Sequence, residues 1–256
     1  MFLRFALIVV LSLTAAAQPS WQEAGACVTP QGTLCRTLVY ESSGWTNRSW
    51  GFHAVERYTE RITEAAGSSG AALLHIVHRG FNYYVIPSES YDRTRIVIPA
   101  QRQTLEVDRG RREVRDLGGV WPFAEYWTDD VDCRKRAALA GENWRQTGER
   151  PIAAGLRAIE YSYESSDHRV EQRIAFSPEI GCTAVRFRLF RRNAAGLPVS
   201  EDRLMLVAAT LGEPDPTLFS VPAEFRRVGV DRSWPHIWMD KFPGAITTTG
   251  FSRPVP

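Results

Sequence analysis

The residues of this sequence that could support chemistry are five histidines, a short run of aspartates and four cysteines. Their spacing decides what each can do. His75 and His78 stand three positions apart in an alternating stretch, so on a strand their rings leave opposite faces and cannot share an ion. His168 sits in the turn-type run 165–168 (SSDH), and His236 lies among Trp234, Pro235 and Trp238, where packing is the expectation. Asp129, Asp130 and Asp132 precede a helical pattern. There they complement the helix dipole, because no loop of alternating oxygens with a glycine follows to hold calcium. No H-E-x-x-H, G-x-S-x-G, phosphate-binding loop or G-x-G-x-x-G occurs, which removes the commonest signals of zinc proteases, hydrolases and nucleotide enzymes. The expectation is a protein without catalytic residues, metal or cofactor.

Cys27, Cys35, Cys133 and Cys182 are even in number and follow a start that reads as a secretory signal. Residues 1–17 place Arg4 before an apolar run at 5–13, then Ala15, Ala16 and Ala17 as an A-x-A cleavage site ahead of Gln18. An exported chain, periplasmic or secreted, is expected to carry these cysteines as two disulfides. Three pairings are possible. Cys27 with Cys35 would close a short loop through 29–32 (TPQG), and Cys133 with Cys182 would then tie a helical insert to a strand. Zinc is disfavoured, since there is no C-x2-C pair and no histidine within a few residues of a cysteine. Lys+Arg 31 against Asp+Glu 29 leaves a net charge of +2, which does not call for nucleic acid as a partner. Lysine occurs only at 135 and 241, so arginine carries the positive charge. No further stretch is apolar and long enough to predict a transmembrane segment.

The elements that would position these residues are mostly strands. Alternation marks 71–79, 81–86, 93–98, 104–107 and 111–117, with Gly80, Pro99 and the pair Gly118 and Gly119 as punctuation. Residues 52–63 fit a helix through Val55, Tyr58 and Ile62. Their β-favouring alternation and the turn GSSG at 67–70 make a hairpin the better reading. Strands at 156–163, 170–176, 183–192 and 202–211 predict an antiparallel meander. Within 183–192, Val185, Phe187 and Leu189 share a dry face, and Arg186 and Arg188 the wet one. One helix is predicted from the cap at 128–130 to Gly141. The chain therefore reads as a signal peptide (1–17), a lead-in (18–50), one β domain (51–229) and a tail (230–256). Trp121, Phe123, Tyr126 and Trp127 fall between the glycine turn and the helix, where a lid over a curved sheet would enter. Together with Phe187 they are the candidate ligand-binding set.

The meander closes on a recognisable phrase. Ser177, Pro178, Glu179 and Gly181 are followed by Gly212, Pro214, Asp215, Pro216, Leu218, Phe219, Val221, Pro222 and Phe225. Over residues 155–228 the chain resembles the LolA/LppX-like half-barrel group of exported bacterial proteins, whose members share this pattern of SPE-G and G-x-PDP-x-LF-x-VP. The resemblance implies a mainly β fold, a curved antiparallel half-barrel sheet with one or two helices over its concave face. It implies a lipid or acyl-chain ligand in an apolar concavity; binding is then expected to rest on apolar burial, with arginines at the rim orienting a head group. The alternative is an envelope scaffold or protein-interaction module whose core is filled by side chains. The phrase itself reads as a closure device: the prolines stop a strand, Asp215 caps the turn, and Leu218, Phe219, Val221 and Phe225 plug an open end of the sheet.

Overall fold

A computed structural model describes residues 26–49, 53–81, 87–119, 132–139, 144–147 and 152–229. The signal stretch 1–17, the tail beyond residue 229 and the aromatic group Trp121, Phe123, Tyr126 and Trp127 lie outside the described residues. The N-terminal half forms β1 (Arg36–Ser49), β2 (His53–Ala66), β3 (Ala72–Phe81), β4 (Pro87–Ile98), β5 (Gln103–Asp108) and β6 (Glu113–Asp116). Helix α1 (Cys133–Leu139) follows. Then come β7 (Arg145–Gln146), β8 (Ile152–Ala153), β9 (Leu156–Arg157), β10 (Ile159–Glu164), β11 (Val170–Ser177), β12 (Thr183–Arg192), β13 (Pro198–Leu211) and β14 (Arg226–Val228). Among the described residues twelve strands make one curved sheet in the order β14-β6-β5-β4-β3-β2-β1-β13-β12-β11-β10-β7, while β8 and β9 pair separately. The sheet is antiparallel except at β14, which runs parallel to β6. It ends at β14 and β7 and does not close into a barrel.

Two meanders thus meet where β1 pairs with β13. The stretch set aside as a lead-in contributes β1, at the middle of the sheet. The turn-type residues Ser42, Ser43, Gly44 and Asn47 conceal that strand in the sequence. Residues 53–66 are a strand, turned into β3 at 67–70 with Gly70 at φ +76°, a conformation that favours glycine. β3 continues through Gly80, which sits opposite Tyr58 and makes no turn.

Alternation sends side chains to two faces, and the faces differ. The inner face carries the main core: Leu38 and Tyr40 of β1, Ile62 of β2, Leu74 and Ile76 of β3, Ile174 and Phe176 of β11, and Val185 and Phe187 of β12. Cys133 and Ala137 of α1 pack into this core, so the helix covers the inner face. Each fully buried Leu, Ile or Phe here contributes about 1.5–3 kcal/mol relative to exposure. Beyond this core the expectation of an apolar wall fails. Over β2–β6 the inner side chains are Glu60, Glu64, His78, Arg93, Arg95, Glu106, Asp108 and Arg115. Most of these are buried charges that persist because they pair, as Arg95 and Glu106 do at 3.0 Å.

The outer face of β2–β6 holds a second cluster, Ala65, Leu73, Ile96, Leu105, Val107 and Val114. Leu218, Phe219, Val221 and Phe225 pack on it. The closing phrase is therefore a strap lying across the back of the sheet, from β13 at the centre to β14 at the edge; it does not plug an open end. Its prolines end β13, and Asp215 accepts bonds from the Thr217 backbone N–H (2.9 Å) and hydroxyl (2.7 Å), capping the turn at Pro216–Phe219 as expected.

Disulfides join Cys27 to Cys35 and Cys133 to Cys182, with Cα separations of 5.3 and 5.1 Å. Such bonds belong to an oxidising compartment. Among the described residues no helix is long and apolar enough to cross a membrane.

Candidate functional site

Phe187 is 7% exposed. It belongs to the inner core and also borders a groove of about 860 Å3 that opens on the opposite face. That volume falls in the range of small-molecule sites. The strand register explains the groove. On the outer face of β3-β2-β1-β13-β12, one cross-strand row runs Val77, Arg61, Glu41, Met205, Arg186. The next row runs Arg79, Thr59, Ser43, Arg203, Arg188. All ten line the groove. Long guanidinium side chains form its walls and the short Ser43, Thr59 and Val77 its floor. Met205, 49% exposed, adds an apolar patch.

Five arginines meet one outer-face acid of the lining, Glu41, which lies 3.6 Å from Arg61. Arg188 and Arg203 are directly opposite each other, a placement that costs free energy when unscreened. Glu201, at the end of the groove, offsets it. Its Oε1 accepts from Arg188 Nε at 2.7 Å and from Arg203 Nε at 2.9 Å, and its Oε2 accepts from Arg203 at 2.9 Å. Burial pushes the Glu201 carboxyl up, but those bonds and charges outweigh it and hold the group below the usual carboxylate range. Arg79 and Arg186 have no acid partner among the described residues. Guanidinium groups in this density are suited to binding carboxylate or phosphate by charge-assisted, often bidentate, hydrogen bonds.

Beneath the groove the inner face is locked by polar contacts. The Tyr58 hydroxyl donates to Asp202 Oδ1 at 2.7 Å, passing over Gly44, which faces both residues in the register. Burial first, then the charge of Asp202, raises the Tyr58 pKa, so the phenol stays protonated. The His78 ring stacks between Tyr58 (5.8 Å) and Tyr91 (4.7 Å), with Nδ1 2.8 Å from Glu60 Oε1.

The other residues singled out by type are placed separately. His75 points outward to Asp92 (2.8 Å), on the face opposite His78, as their spacing requires. His168 is an exposed turn residue at φ +56°. Asp132 accepts from the Arg134 N–H at 2.9 Å at the start of α1, a capping role; Asp129 and Asp130 lie outside the described residues. Cys27 and Cys35 lie near Glu213, but their sulfurs are joined to each other. The arginine groove escapes sequence reading because its rows run across strands. Arg61, Arg79, Arg186, Arg188 and Arg203 look scattered in the chain and become neighbours only once the register is known. The one local signal is arginine on the wet side of each alternating run.

No family model and no curated protein matches the sequence. Among solved structures the chain is similar to a β-barrel-like protein of the domain of unknown function DUF1849 from Brucella abortus, at 9% identity and a TM-score of 0.25. That match covers 71% of this chain and 99% of that one. It is also similar to PNGF-II, at 8% identity and a TM-score of 0.27, covering 76% of this chain and 31% of that one. Nothing in these comparisons names the half-barrel group that the C-terminal phrase resembles. The class that the sheet itself defines is a mainly β protein built on one curved, open, largely antiparallel sheet, with two disulfides.

Proposed function

We propose that this is an exported, non-catalytic binding protein whose ligand is an anionic amphiphile or other acidic component of the bacterial envelope, held in the outer-face groove. The observation that carries this reading is the convergence of five arginines from four strands on one groove of about 860 Å3. The secretory-type start and the two disulfides support an extracytoplasmic site of action. The placement differs from the expected greasy concavity: among the described residues Leu38, Tyr40, Ile62, Ile174 and Phe176 are packed core at the middle of the inner face. Charge therefore anchors the ligand, and the apolar contribution comes from Val77 and Met205.

The test is calorimetric titration with dihexanoyl phosphatidylglycerol and dihexanoyl phosphatidylcholine, below their micellar concentrations. The expected result is binding of the anionic lipid alone, weakened as salt rises and lost in Arg79→Ala/Arg186→Ala. Equal binding of both lipids, or none of either, refutes it. The filled inner core favours a second reading, a protein-interaction module using the same arginines against an acidic protein surface. It predicts no binding of either lipid, together with salt-sensitive capture of an acidic partner.

A further inference from the structure

We infer that the groove reads an elongated ligand with an anionic group at each end and a neutral, hydroxyl-bearing middle. This rests on the reading of the groove as an anion site. Three of its five arginines already have acid partners: Arg61 has Glu41, Arg203 has Glu201, and Arg188 has Glu201 together with Glu171 at 3.8 Å. The pair without an acid partner among the described residues is Arg79 on β3 and Arg186 on β12, at opposite ends of the groove, and both are exposed. Between them lie β2, β1 and β13, so they stand four strand spacings apart. At about 4.8 Å per spacing that is roughly 19 Å along the sheet, and less in a straight line because the sheet curves.

The centre of the groove has the opposite character. There Glu41 and Arg61 offset each other and Arg203 is held by Glu201, so no charge is left without a partner to attract an anionic middle, while the hydroxyls of Ser43 and Thr59 offer hydrogen bonds to a polyol or sugar-like linker. A compact monoanion engages one end only. A bis-anion of matching length engages both, the second contact being made at the effective concentration that the first one sets. Planar guanidinium forks favour phosphate or carboxylate at each end, so the class is a bisphosphate or dicarboxylate on an extended hydroxylated scaffold.

The experiment titrates the full chain with oligo(ethylene glycol) bisphosphates of increasing length and with the monophosphate of each length. The expected result is an affinity maximum at an intermediate length, about tenfold or more tighter than the matching monophosphate. Arg79→Ala and Arg186→Ala are each expected to bring the bisphosphate down to monophosphate affinity with melting temperature unchanged. If monophosphate binds as tightly as every bisphosphate, and the two variants weaken it additively, the spanning inference is overturned while the anion groove stands. If neither series binds, the groove reading itself fails.

Discussion

The side chain in the most costly position is Glu64. It is buried on β2, its Oε1 has no hydrogen-bond partner among the described residues, and it is flanked by Arg36 and by Tyr40, whose hydroxyl also lacks one among them. Burial raises its pKa from 4.5 to about 7, against the pull of Arg36. Below pH 4.5 the carboxyl is protonated folded and unfolded alike and costs nothing extra. Between 4.5 and about 7 only the folded state holds the proton, so stability falls as pH rises, and the full penalty is present above 7. A shift of this size corresponds to a penalty on the order of 3 kcal/mol. Glu64→Gln is therefore expected to raise the melting temperature at pH 8 and to leave it nearly unchanged at pH 4.5. Scanning calorimetry at both pH values decides it, and equal effects would show that the carboxyl is not the source. Glu201 predicts the reverse trade. Glu201→Gln unmasks Arg188 and Arg203, so binding of dihexanoyl phosphatidylglycerol should tighten severalfold while folding loses roughly 1–2 kcal/mol, reduced by the arginines' exposure.

Strand β1 shows how one element serves both faces. A Cβ on Gly44 would lie 2.5 Å from the Tyr58 ring, 2.6 Å from Asp202 Oδ1 and 2.8 Å from the Glu201 carbonyl, so the Tyr58 to Asp202 bridge exists only because β1 carries no side chain beneath it. Gly44→Ala is expected to cost about 1–3 kcal/mol through overpacking. It should also weaken the anion groove on the other face, because Ser43 and the partners of Glu201 shift with the strand; urea melts and the lipid titration read the two effects. The same element marks where sequence reading runs short. β12 and stretches of β2, β3 and β13 are legible because buried and more exposed residues alternate along them, and Val185, Phe187 and Leu189 face inward opposite Arg186 and Arg188 as the pattern requires; β5 and β11, buried over most of their length, are legible from apolar and polar types that alternate between turn signals. β1 is not, since glycine and serines are required by a cross-strand contact that no local pattern records. The groove is less legible still: no single strand supplies more than two of its arginines.

At the scale of the whole molecule, an open sheet leaves the relation between its two meanders to a few ties. One is the β1–β13 ladder at the centre. A second is the strap, which carries the chain over the outer cluster to β14. The third is covalent: Cys133–Cys182 fastens α1 on the inner face to the turn between β11 and β12. There Gly181 (φ +65°) and Cys182 (φ +54°) are both left-handed, a conformation a cysteine rarely adopts. The sequence separations of 49 for this bond and 8 for Cys27–Cys35 make their effects unequal. Loop-closure entropy gives about 4 kcal/mol for the longer bond and about 2–3 for the shorter. Cys133→Ser/Cys182→Ser is therefore expected to lower the melting temperature by roughly 10 °C in a chain of this size, and Cys27→Ser/Cys35→Ser by less. Far-ultraviolet circular dichroism should still show the β signal in both, because the ladders are intact. The long-bond variant should also leave α1 without its anchor, so amides of residues 133–139 should exchange with solvent much faster than those of β1 and β13. Equal losses from the two double variants, or unchanged exchange in α1, would mean that side-chain packing, and not the covalent tie, holds the helix against the inner face.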